Sequence, residues 1–214
     1  MAGSTCQIPV LTLRNAPFSI SWGSSIYAQI LATNSEGDSV ISEIGNGAVI
    51  IADPDPPSNL REDETKRTPT ALGLLWTSAF DGGTPILDYY LSMAQGDGQF
   101  TLFATSTATE FTVLSLTPGS TYQFKVQARN KRALSVYSNE LSLLAAYKPE
   151  APIIDTINDG ANVLLDWTAP NDNGSPITSY TVYIQNSATE FVQESSCSAA
   201  LETRICVVSL SYLQ

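Results

Sequence analysis

Residues 116–130 read Leu116-Thr117-Pro118-Gly119-Ser120-Thr121-Tyr122-Gln123-Phe124-Lys125-Val126-Gln127-Ala128-Arg129-Asn130. From Tyr122 onward the residues alternate. Tyr122, Phe124, Val126 and Ala128 share one side, and Gln123, Lys125, Gln127 and Arg129 share the other. Successive side chains of a strand point to opposite faces, so this segment reads as a β-strand with one buried and one wet face. Similar short runs recur along the chain, separated by Gly, Pro, Asn and Asp, while helical periodicity is nearly absent. The spacing predicts strands over 26–33, 72–77, 88–94, 111–116, 122–130, 162–168, 178–185 and 205–210. Many short strands at this spacing argue for antiparallel β-sandwiches.

Two proline-rich segments interrupt the pattern: Asp53-Pro54-Asp55-Pro56-Pro57 and Lys148-Pro149-Glu150-Ala151-Pro152. Proline fixes φ and cannot donate to a ladder, so both read as stiff linkers or strand entries. They lie about one sandwich apart. Internal repeats agree with that division. The stretch from Trp76 matches the stretch from Trp167 at a constant offset of 91, pairing Gly83 with Gly174, Pro85 with Pro176 and Tyr89 with Tyr180. IYAQILATNSEGDSVIS, from Ile26, matches YQFKVQARNKRALSVYS, from Tyr122, at an offset of 96. The expected organisation is a complete middle unit over 53–148, the second half of a like unit over 1–52, and the first half of another over 149–214.

These residues resemble the fibronectin type III domain. Pro56-Pro57-Ser58-Asn59-Leu60 is similar to the family's first-strand entry, and Trp76 stands where its core tryptophan does. Leu116 to Tyr122 matches the family's Leu-x-Pro-Gly-x-x-Tyr, and Tyr122 to Asn130 its sixth strand. The resemblance implies an all-β fold of tandem immunoglobulin-like (fibronectin type III) sandwiches, one complete and two partial. It implies core roles for Trp76 and Trp167 and a tyrosine corner at Tyr122, whose hydroxyl would close back on the backbone. It extends to repeat arrays in large surface proteins of protists. In the first unit Ile26 stands in place of the corner Tyr and Trp22 in place of the Pro, so that unit lacks a corner bond worth about 1 kcal/mol.

Composition narrows the function classes. The chain has a net charge of −11 and no histidine. An acidic surface repels phosphate and anionic lipid, which argues against nucleic acid or membrane as partner. Without histidine, Ser–His–Asp and Cys–His catalysis and imidazole zinc sites are excluded. No run of about 20 apolar residues occurs. The abundance of Ser and Thr, 25 and 21 residues, fits a β-rich chain outside the cell. No enzyme activity and no cofactor is expected.

Cys197 and Cys206 are nine residues apart. On adjacent strands near a hairpin they would form a disulfide worth about 2–3 kcal/mol; otherwise they are two buried thiols. Cys6 has no partner within the chain. The similarity of TCQIPVLTLR, from Thr5, to ICVVSLSYLQ, from Ile205, sets Cys6 against Cys206 and Leu13 against Leu213. One reading makes the chain a segment of a longer array whose unit is a pair of domains, with the partner of Cys6 upstream; the other makes Cys6 a spare cysteine. The first ten residues lack the basic start and apolar run of a signal peptide, which the longer-array reading also accounts for.

Asn173-Gly174-Ser175 is the chain's Asn-x-Ser acceptor, making Asn173 the candidate glycosylation site, although Pro176 disfavours its use. Residues 171–175 resemble half a calcium loop but lack the spaced carboxylates of an EF-hand. Asp53 and Asp55 read as linker charges, the cluster from Glu62 to Arg67 as a solvated loop, and Trp22 as a corner residue with a lesser candidacy for sugar stacking.

The function expected is a structural or adhesive repeat of a long extracellular or cell-surface fibre, assembled head-to-tail into a filament. Its partners would be neighbouring repeats or copies of itself, with surface proteins or glycans beyond them. Alternatives are a ligand-binding module of a receptor ectodomain, an intracellular cytoskeletal array, and an accessory domain of a secreted polysaccharide enzyme.

Overall fold

The computed structural model describes residues 5–197 and 203–209. A short helix, α1 (Val10–Arg14), precedes strands β1 (Ser25–Ala28), β2 (Thr33–Asn34), β3 (Gly37–Asp38) and β4 (Gly45–Val49). The middle of the chain forms β5 (Ser58–Thr68), β6 (Ala71–Thr77), β7 (Asp88–Gln95), β8 (Thr101–Ser106), β9 (Glu110–Val113), β10 (Thr121–Arg129) and β11 (Leu141–Leu144). The last region forms β12 (Ile153–Asp159), β13 (Asn162–Thr168), β14 (Val182–Gln185), β15 (Phe191–Glu194) and β16 (Ile205–Ser209), with a 3-10 turn at Ser195–Cys197.

The middle strands make a three-stranded sheet in the order β5-β6-β9 and a four-stranded sheet in the order β11-β10-β7-β8. In the last region β12-β13-β16 repeats the first of these orders, and β14 pairs with β15. The fold is a β-sandwich. Packing by proximity separates two compact units. One takes in the described residues up to Asp63 together with Gly73–Thr112 and Tyr122–Leu143; the other takes in Glu64–Leu72, Val113–Thr121 and the described residues from Leu144 onward.

In the first unit β10 runs antiparallel to β7, from Tyr122 opposite Gln95 to Arg129 opposite Asp88. The alternation read from the sequence is the burial pattern observed: Tyr122, Phe124, Val126 and Ala128 are buried, and their neighbours half-buried. The rings of Trp76 on β6 and Tyr89 on β7 meet edge-on at 5.4 Å, and Phe103 on β8 packs against Phe111 and Phe124. In the second unit Trp167 and Tyr180 meet edge-on at 5.5 Å, so the tryptophan–tyrosine contact recurs at the 91-residue offset. Such aromatic pairs add about 0.5–1.5 kcal/mol beyond the area they bury. Leu165, Val182, Cys197, Cys206 and Val208 complete the core around Trp167.

Several segments differ from the sequence expectation. The strand expected over 26–33 stops at Ala28. Beyond it, the N–H groups of Ile30 and Ala32 donate to the hydroxyls of Ser42 and Ser39 at 2.9 and 3.0 Å, so side chains replace part of the ladder. The same substitution occurs 96 residues later, where Val126 and Ala128 donate to Ser138 and Ser135 at 3.0 Å each. The charged run from Glu62 to Arg67 lies on strand β5 and not in a loop, its charges tolerated because that strand is largely exposed. Strands β4, β8, β11, β12 and β15 lacked a clean alternation and were not expected from the sequence. At the 200-residue offset residues 5–9 carry no regular secondary structure while 205–209 form β16, and the counterparts of helix α1, residues 210–214, lie outside the described residues. Pro9, at the helix start, cannot donate to a ladder. Leu210 and Leu213 lie outside the described residues.

Phe124 is fully buried at the centre of β10. Phe124→Ala should therefore cost about 3–5 kcal/mol, read as a lower urea midpoint with an unchanged slope in a tryptophan-fluorescence melt.

Candidate functional site

The pairs of glycines that repeat along the sequence meet in space. In the first unit Gly23 and Gly83 lie backbone to backbone. A Cβ on Gly83 would stand 2.5 Å from the nitrogen of Gly23 and 2.9 Å from Cβ of Trp22. Both glycines have φ near +80°, which L side chains rarely adopt. Hydrogen bonds hold the approach. Gly23 N–H donates to the Ile50 carbonyl at 2.8 Å, and Ile50 N–H returns to that of Ser24 at 3.0 Å. The proline-rich linker is bonded too: Ala52 N–H donates to Gly82 and Asp55 N–H to Phe80, at 2.8 and 2.9 Å. The Asn130 amide donates to the carbonyls of Ala52 and Asp81 at 2.8 Å each.

The second unit contains the same arrangement. Gly174 and Gly119 replace Gly83 and Gly23; a Cβ on Gly174 would collide with the nitrogen of Gly119 and stand 2.8 Å from the Ala145 carbonyl oxygen. Gly119 N–H donates to Ala145 at 2.8 Å, and Ala145 N–H to Ser120 at 2.9 Å. Tyr147 N–H donates to Asn173 and Glu150 N–H to Asn171, both at 3.0 Å. Asp81 and Asp172 each accept from the loop glycine two residues on, at 2.8 and 2.9 Å, which shapes both loops alike. Each bond contributes about 0.5–1.5 kcal/mol. Their spacing leaves little freedom for the linker.

Trp22, which takes the place of the corner proline, is half-buried at the first of these junctions. Its ring lies 5.8 Å from that of Phe80, and the Arg14 guanidinium lies 4.4 Å from its centroid on a cation–π line. These two contacts occupy part of its surface. Asp53 accepts from Arg132 Nε at 2.7 Å. This exposed ion pair contributes about 0–1 kcal/mol. Arg67 donates to the Ala146 carbonyl at 3.3 Å within the second unit.

The remaining site residues fall as follows. Trp76, Trp167 and Tyr122 are buried. Cys197 and Cys206 are joined by a disulfide with Cα atoms 5.4 Å apart. Cys197 sits in the 3-10 turn rather than on a strand. Beside it the Ser196 hydroxyl and backbone N–H hold the Glu194 carboxyl below its ordinary value. Cys6 is exposed as a free thiol. Asn173 is half-buried at φ 51°, and its amide donates to the Lys148 carbonyl at 2.7 Å. A glycan there would replace one of that nitrogen's two hydrogens, leaving a single N–H for the Lys148 carbonyl. Among the described residues no group of three or more Cys, Asp or Glu is placed to hold a metal ion, and no helix is long and apolar enough to cross a membrane. The junctions were not anticipated from sequence, although the signal was present in the paired glycines of both repeats.

The crowding around Gly83 and Gly174 predicts a local effect of adding one methyl group. Gly83→Ala should free the linker at residues 51–57, and Gly174→Ala that at 146–152. Limited proteolysis should show cleavage in those segments at least tenfold faster than in wild type, with strand β10 still protected from hydrogen exchange.

The fibronectin type III domain family matches residues 55–143. Protein sidekick-1 of Mus musculus is 29% identical over 144 residues, covering 61% of this chain and 7% of that protein. Fibronectin type-III domain-containing protein 3a of Gallus gallus is 31% identical over 142 residues, covering 63% of this chain and 11% of that protein. The chain thus spans about a tenth or less of the curated relatives it matches. A crystal structure of domains from titin is 26% identical over 48% of this chain and 36% of that chain, with a TM-score of 0.42. The matched family is one of structural and binding modules without catalytic machinery. Residues 55–143 are a fibronectin type III domain.

Proposed function

We propose that the chain is a structural and adhesive repeat segment of a long extracellular or cell-surface fibre, extended head-to-tail by further repeats or by copies of itself. No catalytic step is assigned to it. The observation that carries this reading is the recurrence of one glycine junction on both sides of residues 55–143. A junction that recurs with the same hydrogen bonds serves as well between a third and a fourth repeat as between the first two. A contact of this heterologous kind that does not close on itself extends an array. The Cys197–Cys206 disulfide supports an oxidising compartment over the cytosolic array.

The region before Asp53 supports head-to-tail extension. At the 96-residue offset Ile30 corresponds to Val126, yet Val126 is fully buried and Ile30 is 74% exposed. Apolar side chains in this setting call for cover from a neighbouring repeat or chain. Sedimentation velocity over rising concentration should show species larger than the monomer, and Ile30→Asp should abolish them. A compact monomer at all concentrations that binds no hydrophobic dye would contradict the proposal.

A further inference from the structure

The outer face of the β12-β13-β16 sheet is unusual for an antiparallel sheet. Its register sets Ile157 opposite Leu164 and Leu164 opposite Val207. Asp155 lies opposite Asp166, and Asp166 opposite Ile205. These residues alternate with the buried Leu165, Trp167, Cys206 and Val208, so they face away from the core. Ile157 is 49% exposed and Val207 56%. The solvent face of an antiparallel sheet is ordinarily polar. The middle repeat follows that rule. Where β12 has Ile153, Asp155 and Ile157, β5 has Glu62, Glu64 and Lys66 at the 91-residue offset. Where β16 has Ile205 and Val207, β9 has Glu110 and Thr112.

The carboxylates identify the occupant. Asp155 and Asp166 stand side by side on neighbouring strands, where like charges repel. Neither carboxylate has a hydrogen-bond or ion-pair partner among the described residues. A cation placed between them would turn the repulsion into attraction. A second copy docked face to face would instead bring four carboxylates together, on a chain whose net charge is already −11.

We propose that this outer face is a docking surface for a basic protein segment in which Lys or Arg alternates with β-branched or aliphatic side chains. The aliphatic groups cover Ile157, Leu164 and Val207, and the cations meet Asp155 and Asp166. The surface is separate from the exposed residues before Asp53, so the two proposals stand or fall independently.

The test uses the full chain and a fluorescent eight-residue peptide of alternating Lys and Val, with a Glu-and-Val peptide as control. Fluorescence anisotropy should detect binding of the first and not the second. Ile157→Thr combined with Val207→Thr, which leaves the charge unchanged and keeps a β-branched residue at each position, should weaken binding at least tenfold. Asp155→Asn with Asp166→Asn should weaken it severalfold and remove most of its salt dependence. Circular dichroism melts confirm that both variants fold. Equal binding by wild type and variants, binding of the acidic peptide, or no binding would overturn the proposal. So would self-association lost in the Ile157→Thr, Val207→Thr variant, since the occupant would then be a second copy.

Discussion

The approach of two backbones at a glycine pair is the constraint on which the rest of the structure depends. At Gly23 and Gly83, and again at Gly174 where it faces Gly119, the chain passes so close to itself that a side chain would collide with main-chain atoms. Positive φ at all four positions restricts them a second time. With no Cβ in the way, the peptide groups come within hydrogen-bonding distance, and the linker N–H groups find carbonyls in the facing loop. The proline-rich linkers contribute by losing little entropy on ordering, because proline has few conformations to lose. Stiffness at each junction therefore comes from hydrogen bonds and excluded volume rather than from a large apolar interface.

Such a junction needs a firm support on each side, and the sandwich core supplies it. The loop carrying Gly83 lies between β6 and β7, the strands that hold Trp76 and Tyr89 against each other. The loop carrying Gly174 lies between Trp167 and Tyr180, which make the same contact. Each tryptophan–tyrosine pair thus anchors both ends of a junction loop. The disulfide at Cys197–Cys206 adds a covalent tie to the last region.

Much of the fold was legible in the sequence where alternation was clean. The run from Tyr122 to Arg129 carries its burial pattern openly, and β13 matches its expected bounds. The strands that escaped notice are the exposed or irregular ones. Neither face of β12 is well buried, so selection for alternation is absent there, and β5 is charged along much of its length. The end of β1 is not legible because serine hydroxyls take its later N–H groups on one edge, as they do in β10, but β10 is held by β7 on its other edge and β1 pairs with β4 alone. The site was present in the sequence as repeated glycines. Their meaning depends on which glycine faces which, and that is a tertiary fact with no local trace. The sequence marks Trp22 only as a corner residue; its contacts with Phe80 and Arg14 arise in the folded chain.

The most direct test of a hydrogen-bonded glycine junction is orientational. Residual dipolar couplings of the labelled chain, measured for amides in β1 and β4 and for those in β7 and β10, report whether the two sets tumble as one body. A rigid junction at Gly23 and Gly83 predicts a single alignment tensor for both sets, with equal magnitude and axes. Two tensors of different magnitude in the wild-type protein would mean that the linker swings freely, and would contradict the account.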